Sequence, residues 1–230
     1  MDFYKKHQKL LVAVDSIIFG FDENERELKL LILKRNFEPA KGKWSLMGGF
    51  VKAEESLDDA AERIVAQLTG LTHVYMEQLY AFGDLTRDPG GRIISVAYFS
   101  LVKINDYDRE LVKKHGAFWI SLSKLPELIF DHSEMVSKAL RKLRIRARTQ
   151  PIGFELLPEK FTIPQLQSLY EAIYQVPFDK RNFRKKILSM ELLEKLNEKE
   201  KETSKKGAFY YQFNRNKYED FLEKGFNFEI

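Results

Sequence analysis

WSLMGGFVKAEESLDDAAERIVAQLTGL, residues 44–71, is the stretch on which the fold turns. It closes a turn-rich passage, Glu38 to Gly49, and then offers Ser56, whose side-chain oxygen can cap the free N–H groups of a helix running to about Leu68. Gly70 stands where such a helix closes in the left-handed conformation. Outward from this unit the chain reads as strands. Leu10 to Phe21 and Leu28 to Lys34 are rich in Leu, Val and Ile and flank a polar turn, Asp22 to Glu27, which predicts a β-hairpin. Downstream, Tyr75 to Gly83 and Arg92 to Ile104 are β-rich and meet across the turn sequence Asp88-Pro89-Gly90-Gly91. Gly116 to Ile120 predicts a short strand, and Ser133 to about Arg146 a basic helix with Ser133 as its cap. The first part, residues 1–150, is therefore expected to be α/β and strand-heavy.

A second unit, residues 151–230, begins near Pro151. Thr162 and Gln165 form a capping box ahead of Leu166, Leu169, Tyr170 and Ile173, an apolar stripe at helical spacing. Asp179 can cap the next helix, where Phe183, Ile187 and Met190 are the buried stripe and Arg181, Asn182, Arg184 and Lys185 are left facing outward. Leu192 to Leu196, the charged Asn197 to Gly207, and Phe209 to Phe213 read as strand, exposed loop, strand. Helix, turn, basic helix and β-ribbon in that order predict a winged helix-turn-helix.

Composition narrows the function classes. The chain has 230 residues, enough for two domains, with 44% hydrophobic and 31% charged residues and no apolar run near the roughly 18 residues a membrane span needs. Cysteine is absent, which excludes disulfides, thiolate zinc sites and a cysteine nucleophile. No signal peptide is legible in the polar start Met1 to Lys9, so a cytoplasmic address is expected. The net charge of +4 is mild, but its placement is not: basic residues cluster at Arg141 to Arg148, at Lys180 to Lys186 and at Lys205 and Lys206, all in the second half.

Gly48-Gly49, Glu55, Arg63, Val65, Gly70 and Leu71 resemble the Nudix box, a glycine–glutamate–arginine pattern that ends in helical glutamates. In active Nudix hydrolases those glutamates hold Mg²⁺, a hard cation that needs several oxygen ligands, and so activate water. Here the three positions are Ile64, Gln67 and Leu68. Asp58, Asp59 and Glu62 point elsewhere on helical geometry and suit the helix dipole instead. Neither a metal, nor a cofactor, nor enzymatic turnover is expected.

The remainder of the chain, about residues 8 to 213, resembles the Nudix-related transcriptional regulators, in which a noncatalytic Nudix domain precedes a winged helix. The matching stretches are Trp44 to Val51, Glu77 to Asp84, Arg87-Asp88-Pro89, Ser95 to Tyr98, Phe130-Asp131-His132, Leu156 to Thr162 and Asp179 to Arg184. Met47 departs from the pattern, which usually has Pro there, and is expected to loosen its loop. The resemblance implies an N-terminal Nudix α/β/α sandwich with a mixed sheet, a homodimer, a double-stranded DNA operator of two-fold symmetry, and an effector in the old substrate cavity. Two effectors fit the family: ADP-ribose, in regulators of NAD metabolism, and a free pentose such as L-arabinose, in repressors of sugar-utilisation genes. A diphosphate is best buried with Mg²⁺, and the metal ligands are gone, so the sequence reading favours the pentose-responsive branch.

Residues able to meet sugar hydroxyls around that cavity are Asp15, Arg35, Lys43, Trp44, Asp84, Arg92 and His132. Each also reads as an ordinary structural residue. On the DNA side, Arg181, Asn182, Arg184 and Lys185 suit base edges, while Lys186, Lys205, Lys206 and the Arg141 to Arg148 run suit phosphate; Lys180 is a further DNA contact, and Thr162 and Gln165 open a helix whose N-terminus can hold a phosphate. The basic helix from Ser133 to Arg148 is the expected transmitter between effector and DNA. The competing classes are a Nudix hydrolase with a nucleic-acid-binding appendage, which the missing glutamates oppose, and a protein adaptor that binds no DNA.

Overall fold

The computed structural model describes residues 4–104, 109–152, 156–201 and 207–224. The chain divides into two compact units, residues 1–19 with 29–139 and residues 20–28 with 140–230.

In the first unit the described residues form a seven-stranded sheet from β1 (Leu11–Asp22), β2 (Glu27–Lys34), β3 (Trp44–Ser45), β4 (Met47–Phe50), β5 (Glu77–Phe82), β6 (Ile93–Lys103) and β7 (Ala117–Ser121). Its order is β3-β2-β1-β6-β5, with β4 added to β1 and β7 to β2. β1 is the central strand and is buried from Ala13 to Asp22. The helices α1 (Leu57–Thr69), α2 (Arg109–Lys114) and α3 (His132–Thr149) complete the α/β/α sandwich with a mixed sheet.

α1 forms as the sequence predicts. Ser56 accepts a hydrogen bond from the Asp59 amide, Asp59 accepts one back from the Ser56 amide, and Gly70 closes the helix at φ 75°. The helix buries Ala60, Ala61, Ile64 and Val65. Val65 joins a core of Ile18, Leu31, Met47, Leu71 and Val102, while Ile64 joins Val14, Ala60, Ala61 and Tyr98. Side chains of this size each contribute roughly 1.5–3 kcal/mol when fully buried. Met47 loosens nothing: it pairs with Ser16 at the start of β4, and its side chain is wholly inside the core.

The second unit contains β8 (Lys160–Thr162), α4 (Ile163–Tyr174), α5 (Lys180–Ser189), β9 (Leu193–Glu200), β10 (Ala208–Phe213) and α6 (Arg215–Glu223), with the sheet order β8-β10-β9. Leu166, Leu169, Tyr170 and Ile173 from α4 and Phe183 and Ile187 from α5 are its buried stripes, with the rings of Tyr170 and Phe183 5.8 Å apart. This is a winged helix-turn-helix, with β9 and β10 as the wing.

Three expectations needed correction. α3 starts at His132, its first full turn closed by Met135 N donating to Asp131 O at 3.1 Å, so Ser133 lies inside the helix and does not cap it. The charged segment after Leu196 is not all loop, because β9 runs to Glu200, where it pairs with Ala208. The passage read as turns, Glu38 to Gly49, contains β3 and the start of β4, and β8, α2 and α6 likewise had no predicted counterpart.

Candidate functional site

One face of the first unit gathers charged side chains from four elements. β1 contributes Asp15, and the residue following β2 by one is Arg35. The β5–β6 loop adds Arg87 and Asp88, and the entry to α3 adds Asp131 and His132. β4 brings Gly48 directly opposite Asp15. A Cβ built on Gly48 would lie 2.1 Å from Asp15 Oδ1, so the carboxylate occupies the space a side chain would take.

The group is knit internally. Arg87 donates from Nε and Nη2 to the two oxygens of Asp131, both at 2.8 Å, and its Nη2 lies 3.5 Å from Asp15 Oδ2. Ser95 Oγ donates to the same Asp15 oxygen at 2.6 Å. Burial works against the Arg87 charge, but the Asp131 bond and the nearby Asp15 carboxylate outweigh it and hold the guanidinium firmly protonated. His132 is almost wholly buried, and its Nδ1 accepts the Leu46 amide at 3.1 Å. That bond places the proton of the neutral ring on Nε2, 3.6 Å from Asp15 Oδ1. Burial lowers the His132 pKa despite the pull of Asp15, and the ring is therefore uncharged at neutral pH.

Two cavities meet here. A small one of about 100 Å³ is lined by Asp15, Arg35, Phe37, Gly48, Arg87 and His132 among others. A larger one of about 630 Å³ shares Arg87 and Phe130 with it and extends over Tyr80, Phe82, Asp84, Asp131 and Lys138. The ammonium of Lys138 sits 4.2 Å above the Tyr80 ring and 4.8 Å from that of Phe82, with Glu134 at 3.0 Å.

Of the seven residues expected around an effector, Asp15, Arg35 and His132 line the small cavity and Asp84 the large one. Lys43, Trp44 and Arg92 line neither. Trp44 packs edge-on against Phe118 with Lys34 over its ring, Lys43 is exposed, and Arg92 donates to the carbonyls of Gly83 and Asp84, bracing the β5–β6 connection. Arg87, Asp131, Phe37 and Lys138 were missed; Arg87 and Asp131 sit in two of the quoted family stretches, where their opposite charges were the available signal.

The remnant box is a structural staple. Arg63 holds Glu55 through Nε at 2.8 Å and Nη2 at 2.5 Å, and also donates to the Phe50 carbonyl and to Gln67. The Arg63 bond, helped by the Lys52 amide, lowers the Glu55 pKa to about 2. Ile64 and Leu68 are turned into the core, and among the described residues no group of three or more His, Asp or Glu is placed to hold a metal ion.

On the second unit, α5 leaves Lys180, Arg181, Asn182, Arg184, Lys185 and Lys186 exposed around the buried Phe183, and Asp179 caps it through the Asn182 amide at 2.8 Å. Arg184 Nη2 reaches Tyr211 Oη on β10 at 3.4 Å. Thr162 is buried and, with Gln165, completes a reciprocal capping box on α4; Gln165 Nε2 also lies 3.4 Å from Glu23 of the same unit. Lys205 and Lys206 lie outside the described residues. Sequence reasoning read the wing but gave no role to Lys195 and Lys199 of β9, which project over the Phe209 ring at 3.7 and 4.5 Å. It also took Arg144 for a phosphate contact, whereas Arg144 donates to the Ile173 carbonyl and to Gln175 at the end of α4.

Comparison with known proteins bears on both units. Residues 9–140 match the NUDIX domain, and residues 153–213 match the NrtR DNA-binding winged helix domain. The chain is 30% identical over 207 residues to the ADPR responsive transcriptional repressor NtrR of Acinetobacter baylyi, covering 88% of this chain and 82% of that protein. Its fold matches Shewanella oneidensis NrtR complexed with a 27mer DNA at a TM-score of 0.75 and 28% identity, over 88% of this chain and 93% of the other. The NUDIX domain of the same Shewanella protein complexed with ADP ribose matches at 0.52 and 30%, over 60% and 92%. These findings overturn the expectation of a pentose-responsive branch, since the Acinetobacter relative is ADPR responsive and the Shewanella NUDIX domain is complexed with ADP ribose. The sequence argument equated lost metal ligands with a neutral ligand. A metal is needed to split a diphosphate, whereas binding one at an open cavity mouth needs only side-chain donors and water.

Proposed function

Since this chain belongs to the NUDIX domain family and continues into an NrtR-type winged helix, we propose that it is a DNA-binding transcriptional repressor whose Nudix unit senses ADP-ribose. The effector-binding domain spans residues 1–150 and the DNA-binding domain residues 151–230. The observation that carries the reading is the combination, in one chain, of a box with Ile64, Gln67 and Leu68 in place of its helical carboxylates and a helix α5 with an exposed basic face. ADP-ribose is a fragment of NAD, so a repressor that releases DNA on binding it couples gene expression to NAD turnover.

On DNA, α5 enters the major groove with Arg181, Asn182, Arg184 and Lys185 toward the bases, where a well-formed bidentate pair discriminates by roughly 1–3 kcal/mol. Lys180, Lys186, Lys205, Lys206 and the wing residues Lys195 and Lys199 meet phosphate, which positions the protein without specifying sequence. The protein acts as a homodimer, its two α5 helices spaced by about 34 Å to read an operator of two-fold symmetry, and α3 carries the signal between effector and DNA. In the cavity, Asp15, Arg35, Asp84, Arg87 and His132 are the effector contacts.

The test is duplex selection from a random library, followed by titration of the selected duplex with and without ADP-ribose. ADP-ribose is expected to weaken DNA binding at least fivefold, within the usual range of allosteric coupling, with no release of AMP in the presence of Mg²⁺. Arg181→Ala and Asn182→Ala should relax sequence preference. Failure to select any sequence, or DNA affinity indifferent to ADP-ribose, would overturn the reading.

A further inference from the structure

Away from the effector cavities, the second unit holds a polar cluster that joins α3 to the end of α4. α3 is a single helix from His132 to Thr149, with no glycine or proline inside it to let it bend. Arg144 follows His132 by 12 residues, about 18 Å along the helix axis. Ile173, Tyr174 and Gln175 all bond to Arg144. Its Nε donates to the Ile173 carbonyl at 3.1 Å and its Nη2 to Gln175 Oε1 at 3.0 Å, while Tyr174 Oη donates back to the Arg144 carbonyl at 3.0 Å. Two donors on one planar guanidinium fix direction as well as distance, and the returning phenol ties the α3 backbone itself. Burial holds the Tyr174 phenol above its ordinary range against the pull of Arg148 and Arg144, so at neutral pH it keeps the proton it donates.

Gln175 is the least expected member. It is the C-cap of α4 at φ 57° and ψ 34°, the left-handed conformation that glycine fits best and a long side chain strains. The chain keeps a side chain there, and that side chain accepts from Arg144. Beyond it the turn into α5 has no slack. The Phe178 amide donates to Glu171 Oε1 at 2.9 Å, and Gln167 Nε2 donates to the Phe178 carbonyl at 3.0 Å. The Phe178 ring lies 5.8 Å from that of Phe183 on α5, and Asp179 caps α5 directly after it. A shift of Arg144 therefore moves the turn, and the turn moves α5.

Resting on the reading of an ADP-ribose-responsive repressor, we propose that Arg144, Tyr174 and Gln175 form a latch through which α3 sets the position of α5. They are positioning residues, placed to touch neither base nor effector. The other end of α3 begins at His132, next to Asp131, and both residues line the effector cavities. An uninterrupted helix moves as one body, so an effector that turns or shifts the start of α3 carries Arg144 with it, and the latch delivers that shift to the recognition helix. With the latch cut, α5 still packs through Phe183 and Ile187 and still binds DNA, but its position no longer follows α3.

The experiment measures binding of the selected duplex by the full chain with and without saturating ADP-ribose, in wild type, Arg144→Ala, Arg144→Lys and Gln175→Gly. The readout is the ratio of the two DNA affinities. Wild type is expected to give roughly fivefold or more and both Arg144 variants about twofold or less, while their ADP-ribose affinity without DNA stays that of wild type. Lysine keeps the charge but not the fork that bonds Ile173 and Gln175 together, so a full response in Arg144→Lys would overturn the latch and return Arg144 to a phosphate contact. Gln175→Gly relieves the left-handed backbone while removing one acceptor. It should keep the urea midpoint of wild type and yet lose at least half of the ratio, which a role in stability alone would leave untouched. A folded Gln175→Gly with the wild-type ratio overturns the latch, and if Arg144→Ala fails to fold the decision passes to this variant. A wild type whose DNA affinity ignores ADP-ribose removes the effector reading and the latch together, whereas a responsive wild type with equally responsive variants removes the latch alone.

Discussion

Glu55 shows how a residue can outlive its chemistry. Held by two nitrogens of Arg63 and by the Lys52 amide, its carboxyl titrates near 2 in the folded chain, well below the value of about 4.5 it regains on unfolding. A depressed carboxyl contributes stability that is fully present above the unfolded value and is lost as pH falls from about 4.5 through about 2. Glu55→Gln should therefore lower the urea midpoint at pH 6, and its gap from wild type should narrow steadily below pH 4.5. Parallel curves at every pH would show that the pair does not stabilise the fold. Single residues also marked the limit of what the sequence disclosed. Asp15, Arg35 and His132 stood out by residue type, in strands and loops around the expected cavity, and the cavity gathers them. Trp44 and Arg92 carried the same signal and proved to be packing and loop-bracing residues, since residue type alone does not say which way a side chain faces. Arg87 escaped notice because its partner Asp131 is 44 positions away, and only the closed sheet brings them to 2.8 Å.

Among elements, the helix starts were legible, and so was the wing, but not the full extent of its strand β9, read only to Leu196. Caps are local: Ser56, Thr162 and Asp179 each bond within three residues, so sequence and structure agree on where α1, α4 and α5 begin. Thr162→Ala removes the cap of α4 and should destabilise the second unit by about 1 kcal/mol, measurable as an earlier urea transition with α5 and its exposed basic residues otherwise unaltered. No change would mean that burial of Ile163 and Leu166 alone sets the helix start. β9, by contrast, reads LEKLNEKE and is exposed at most positions, with none of the β-branched residues that announce a strand. Its conformation comes from pairing with β10, a non-local fact. α3 was misread by one residue for a related reason. Asp131 supplies the first carbonyl of the helix while its side chain is taken by Arg87, so the usual capping signature moved off Ser133.

For the molecule as a whole, coupling between effector and DNA must run both ways. If ADP-ribose weakens operator binding by a given factor, the operator must weaken ADP-ribose binding by the same factor. Titrating ADP-ribose into protein alone and into protein saturated with duplex measures this directly. Unequal factors would indicate that a further equilibrium, such as dimer dissociation, intervenes. The carbon side chains of Ile64 and Leu68, at two of the three glutamate positions on α1, have a different kind of consequence. Ile64 now packs so close to Gly49 that a Cβ there would come within 2.9 Å of it, and Leu68 packs against the same core. Restoring glutamate at these places would drive unpaired charge into the interior before any metal could repay it. Gln67, at the third of these positions, is exposed and bonded to Arg63, so the way back to a carboxylate cluster is barred at two doors and open at one.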